Sequence, residues 1–180
     1  MRNKRGDSLW NVIIRYLILI AVAIPNLFLF YIIFNPLTVL PVYFLLGLFF
    51  DASLLSSSII LLNGFFPIEL IEACIASSAY YLLLILNLAT PGLKLKTRIY
   101  SILFSFAVFL VINILRIFIL SLVAISGSPV FDITHKVFWY LVSTLFVVGI
   151  WFAEIKLFKI KEIPIYSDLK NLYDKSSLRK

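Results

Sequence analysis

Residues 17–34 read LILIAVAIPNLFLFYIIF, a run without a single charge. No small soluble domain needs such a stretch, and the composition around it agrees: 62% of the 180 residues are hydrophobic and only 14% are charged. The chain reads as an all-α, polytopic transmembrane helical bundle, with room for about four to six helices of about 20 residues each. The basic start (Arg2, Lys4, Arg5) leads into a stretch too long for the apolar segment of a signal peptide, and no small-residue cleavage site follows, so no cleavable leader is expected. With one cysteine, Cys74, an internal disulfide is ruled out.

The formal charge of +7 is placed as topology places it, not as a nucleic-acid surface would. Of the 16 Lys and Arg, four lie near the N-terminus (Arg2, Lys4, Arg5, Arg15), three in a central loop (Lys94, Lys96, Arg98) and seven near the C-terminus (Lys156, Lys159, Lys161, Lys170, Lys175, Arg179, Lys180). Only Arg116 and Lys136 remain, and loop 126–134 has no Lys or Arg. The positive-inside rule then makes both termini and the central loop cytoplasmic, loop 126–134 external, and the helix count even.

Three long spans are expected over residues 9–34, 97–125 and 135–158. A fourth, over 71–89, stops at the breaker Thr90-Pro91-Gly92. Between them, Asp51 and the run Ser56-Ser57-Ser58 divide an apolar stretch that is expected to form two short helices, 37–50 and 52–65, re-entrant or thinly spanning. The expected architecture is about six helices: a single transmembrane domain over 1–158 and a basic cytoplasmic tail over 159–180, partly disordered or lying on anionic lipid.

Counting 1.5 Å per residue outward from Thr97 raises Arg116 about 29 Å, to the outer edge of a core about 30 Å thick. Counting back from Glu154 and Lys156 brings His135 to the same edge, and counting back from Pro91 brings Cys74 within about a turn of it. A thiol, a guanidinium and an imidazole thus share one layer. Each also has a plainer reading. A lone cysteine in a membrane helix is more often a packing residue, Arg116 can snorkel or pair, and His135 can simply open a helix capped by Asp132 or Thr134. Asp51 is a turn residue, and Tyr80, Tyr81, Trp139, Tyr140 and Trp151 are interface or packing aromatics.

Glu72-Ala73-Cys74 opening one helix, Asn113-Ile114-Leu115-Arg116 late in the next, and His135 opening the last resemble, in order, spacing and side, the exosortase/archaeosortase family of membrane transpeptidases. In length, and in the run Ala-Cys-Ile-Ala-Ser-Ser-Ala-Tyr-Tyr, the chain looks most like the small archaeal branch called pacearchaeosortases. Many family members continue the cysteine motif as Cys-Ser/Thr-Gly, where this chain has Ile75 and Ala76.

The resemblance implies that Cys74 is the nucleophile, forming a thioester with a client protein. Arg116 would be the oxyanion stabiliser, a role worth roughly 3–4 kcal/mol, and His135 the general acid and base. Asn113 and Asp132 are implied as supporting residues. The implied partners are client proteins with a C-terminal motif, transmembrane helix and basic cluster, together with membrane lipid. No cofactor, metal or nucleic acid is expected, and the site would lie at the extracytoplasmic face of the cell membrane. Two other classes stay open: a small transporter or channel, and a non-catalytic membrane assembly subunit.

Overall fold

The apolar run that opens the chain does not form one helix. In the computed structural model, which describes residues 9–25, 27–127, 129, 131–137, 143–160 and 162–175, helix α1 (Leu9–Ala23) ends just ahead of Pro25. Leu27 takes the left-handed conformation at φ 60, the Phe28 N–H donates to the Pro25 carbonyl at 2.9 Å, and α2 (Phe28–Gly47) begins. The expected helix over 9–34 is therefore two helices, because proline supplies no N–H to continue the ladder. The expected short helix over 37–50 is the upper part of α2, which runs through Pro36 and Pro41.

The expected helix over 52–65 is also corrected. This segment is a three-stranded antiparallel sheet in the order β1 (Ala52–Leu54), β2 (Ile59–Leu62), β3 (Phe66–Glu69). The β2–β3 turn uses Asn63 (φ 52) and Gly64 (φ 75), a pair suited to the left-handed conformations a tight hairpin requires. Asn63 also ties down Asp51: its N–H donates to the Asp51 carbonyl at 2.7 Å, and its Oδ1 accepts from the Asp51 N–H at 3.2 Å. The serine run turns back onto α2, where Asn35 Nδ2 donates to the Ser57 carbonyl and Tyr31 Oη meets Ser58 Oγ.

After the sheet come a single turn, α3 (Glu72–Ile75), and then α4 (Ser77–Leu88), α5 (Leu95–Ile125), α6 (Phe131–Val137), α7 (Ser143–Leu157) and α8 (Tyr166–Lys175). Among the described residues the protein is 71% helical, and α2 and α5 are each long and apolar enough to cross a membrane. The contacts fix their directions. Arg15 on α1 meets the end of α4, Phe34 on α2 stacks on Tyr80 at 3.6 Å, and Leu46, further up α2, joins Ile117 on α5. So α1, α2 and α5 run one way, while α4 and α7 return.

Two buried clusters result. A lower one gathers Phe30, Phe34, Tyr80, Leu83, Phe109 and Val147. An upper one gathers Val42, Leu46, Ile60, Leu62, Leu70 and Ile117. With 31 residues α5 extends about 46 Å, more than a hydrocarbon core about 30 Å thick, and the sheet packs against its surplus length. The α3 turn joins the clusters: Ile75 belongs to the lower one, and Cys74 packs against the upper one.

At the opposite end the backbone carbonyls that close α4 are taken by two arginines. Arg98 donates to the Asn87, Leu88 and Thr90 carbonyls at 2.6 to 2.9 Å, and Arg15 to those of Leu88 and Thr90. These are the carbonyls a helix C-terminus leaves without partners. Arg15 also grips both Asp168 carboxylate oxygens, at 2.9 and 3.1 Å. The tail is thus not a loose extension over its described length: α8 docks through Asp168, and the Ile165 N–H donates to the Ala89 carbonyl at 2.9 Å. Between the two ends, buried Glu154 of α7 accepts from Asn87 Nδ2 and Ser101 Oγ, joining α7 to α4 and α5.

Candidate active site

Cys74 sits in a backbone interrupted on both sides. Ile71 before α3 is extended (φ −72, ψ 165), and Ala76 after it is left-handed (φ 59, ψ 43). A side chain in that region costs about 1–2 kcal/mol, which glycine escapes. The expected helix over 71–89 is broken here.

The break exposes a carbonyl. In an uninterrupted helix the Cys74 carbonyl would accept from the N–H four residues on. Instead it accepts from Asn113 Nδ2 at 3.0 Å and Arg116 Nη2 at 3.1 Å. Asn113 and Arg116 share a face of α5 because they stand three residues apart. Both are buried, Arg116 being only 8% exposed. The other arm of the guanidinium, Nη1, donates to Ser143 Oγ at 2.8 Å. A buried cation is therefore held by a carbonyl and a hydroxyl. Arg116 Nε, Asn113 Oδ1, Tyr80 Oη and Ser77 Oγ are buried without a hydrogen-bond partner among the described residues.

Beside this cluster lies a cavity of about 700 Å³. One wall is the α1–α2 corner with Pro25, Leu27 and Phe28; another is the α3–α4 break with Glu72, Ala76 and Ser77; Arg116, Ser143 and Thr144 close it. Both left-handed residues of the helix breaks, Leu27 and Ala76, stand on this one surface. Strained backbone concentrates at functional sites.

No family model, curated protein or solved structure matches this chain.

Three of the residues expected from sequence, Cys74, Asn113 and Arg116, come together. Two features differ from expectation. The Cys74 side chain packs on the upper cluster, and the residues of α3 that line the cavity are Glu72 and Ala73. His135 is half-buried in α6, its ring stacked on Phe131 with centroids 5.7 Å apart, and it does not line the cavity. Depth counting aligned Arg116 with His135; the side chain that Arg116 reaches is Ser143. The Asp132 side chain, Trp139 and Tyr140 lie outside the described residues. Ser143 escaped the sequence reading, although a buried arginine in an apolar helix requires polar partners at its own level.

Proposed function

We propose that this protein is a membrane-embedded cysteine transpeptidase of the exosortase/archaeosortase kind, which cleaves the C-terminal sorting signal of surface proteins and transfers them to an acceptor. The observation that carries the reading is that Asn113 and Arg116 meet at the Cys74 backbone beside a 700 Å³ cavity. An amide and a guanidinium of α5 thereby meet the backbone of a cysteine 39 and 42 residues away in the chain. Arg15, Arg98 and the docked tail gather at the other end, so the positive-inside rule makes that end cytoplasmic and the Cys74 end extracytoplasmic. The proposed topology is a polytopic bundle in the cell membrane, with both termini inside.

In the proposed reaction the Cys74 thiolate attacks a client carbonyl carbon, and the oxygen, now negative, is stabilised by Arg116 with Asn113 beside it. Collapse breaks the C–N bond, and His135, leaving its stack on Phe131, protonates the departing amine. Asp132 is the residue proposed to orient it. The same imidazole then deprotonates the incoming nucleophile, which attacks the thioester and restores the thiol. The acceptor is a membrane or surface component.

The test is co-expression with a client carrying a C-terminal motif, transmembrane helix and basic cluster. Wild type is expected to shorten the client, Cys74→Ala and His135→Ala to leave it intact, and Arg116→Ala to slow shortening about 100- to 1,000-fold. Shortening that persists in Cys74→Ala refutes the reading.

One observation favours a second class. Two helix breaks that meet at one cavity resemble the discontinuous helices of transporters. That reading expects solute uptake to survive Cys74→Ala.

A further inference from the structure

The donors that a transpeptidase needs for the substrate oxygen are occupied by the enzyme itself. Asn113 Nδ2 and Arg116 Nη2 both bond the Cys74 carbonyl, while the Cys74 side chain packs on the upper cluster. Both conditions trace to Ala76. Because it is left-handed, the first bonds of α4 go to the Ala76 carbonyl, from the Ala79 and Tyr80 N–H groups at 2.9 and 3.4 Å. The Cys74 carbonyl is left over.

Turning Ala76 into the right-handed region would fuse α3 and α4 into one helix. The Cys74 carbonyl would then accept from the Ser78 N–H, the ordinary helical bond, and both side-chain donors would be released. The same turn moves the thiol. In a continuous helix Cys74 shares a face with the residues three and four positions on, which are Ser77 and Ser78. Both line the cavity.

We propose that the Ala76 break is an autoinhibitory latch: while it persists the Cys74 carbonyl fills the oxyanion donors and the thiol packs on the upper cluster outside the cavity lining, and its closure into a continuous helix frees the donors and carries the thiol to the cavity. This rests on the transpeptidase reading for its purpose, though not for its test. Closure exchanges the Asn113 and Arg116 bonds to the Cys74 carbonyl for the Ser78 N–H bond and leaves the two side-chain donors open to a substrate oxygen. A substrate oxygen taking on negative charge is a stronger acceptor than the Cys74 carbonyl and draws the donors to itself.

The chain has one cysteine, so the alkylation rate of the purified protein with N-ethylmaleimide reports thiol exposure with no client present. Asn113→Ala removes one of the latch bonds and is expected to speed alkylation at least 10-fold. Ala76→Gly accepts the left-handed conformation freely and is expected to slow it several-fold. The opposite signs separate the latch from general loosening, which would speed both. An unchanged rate in Asn113→Ala, or an unchanged or faster rate in Ala76→Gly, overturns the latch. Neither result bears on client shortening, whose persistence in Cys74→Ala is what refutes the transpeptidase reading.

Discussion

Each end of the bundle uses buried arginine to hold backbone carbonyls, to opposite effect. At the α8 end Arg15 and Arg98 take carbonyls left over by a helix that has finished, and Asp168 neutralises Arg15 through two short bonds. At the Cys74 end Arg116 takes a carbonyl left over by a helix that has only been interrupted, and its other hydrogen-bonded acceptor is the Ser143 hydroxyl. The α4 carbonyls belong to a helix that ends at Leu88, so the contact is a lock. The Cys74 carbonyl has, in the proposed latch, the Ser78 N–H as its alternative donor. The same chemistry fastens one end and leaves the other exchangeable.

That contrast can be broken in several places. The largest effect is expected from Cys74→Ala, which should abolish client shortening while leaving the unfolding temperature in detergent close to that of wild type. Next, Asp168→Ala strands the Arg15 charge in a buried site, its side chain 8% exposed against 3% for Asp168. It should cost about 3–5 kcal/mol of stability, read as a lowered denaturation midpoint. If the ends are independent, the alkylation rate of Cys74 under folding conditions stays the same in this variant; a large change would show that the Arg15–Asp168 lock controls the Cys74 site. Asn87→Ala removes a donor that Glu154 uses inside the bundle and should cost about 1–3 kcal/mol. The smallest effect belongs to Ala76→Gly. Relief of left-handed strain, about 1–2 kcal/mol, exceeds the added flexibility of the unfolded chain, about 0.4–1 kcal/mol. A net gain of about 0.5–1 kcal/mol should appear in the same denaturation assay.

Why the Cys74 end was harder to read follows from composition. Helix and strand are told apart by periodicity, and in a stretch as uniformly apolar as 59–62, Ile-Ile-Leu-Leu, neither period shows. Ile60 and Leu62 alternate inward along β2, but their neighbours in sequence are as apolar as they are. Asn63-Gly64 was the one local sign of a hairpin. Pro25 likewise carried a sign of the α1–α2 break. Ala76 carried none, since alanine favours a continuous helix, and what accompanies its left-handed turn is tertiary: the packing of Ile75 below and Cys74 above and the Asn113 and Arg116 bonds to the Cys74 carbonyl. Arg116 and Asn113 were legible because polar groups in an apolar helix are conspicuous. Ser143 was not, because a hydroxyl is unremarkable until something charged is aimed at it.

By itself the sequence determined the mainly helical, strongly apolar character of the chain, the stop at Thr90-Pro91-Gly92, and the nearness of Arg116 to Cys74. Each follows from residue type and helical rise, which are local properties. Only the tertiary structure decided that the first span is broken, that residues 52–69 form a sheet, that the tail returns to Arg15, and that the Cys74 carbonyl, with its thiol turned aside, is what Asn113 and Arg116 hold. These depend on which partner a freed backbone or side-chain group finds across the bundle. No local rule assigns that partner, because hydrogen-bond satisfaction in an apolar interior is settled by whichever segments pack together.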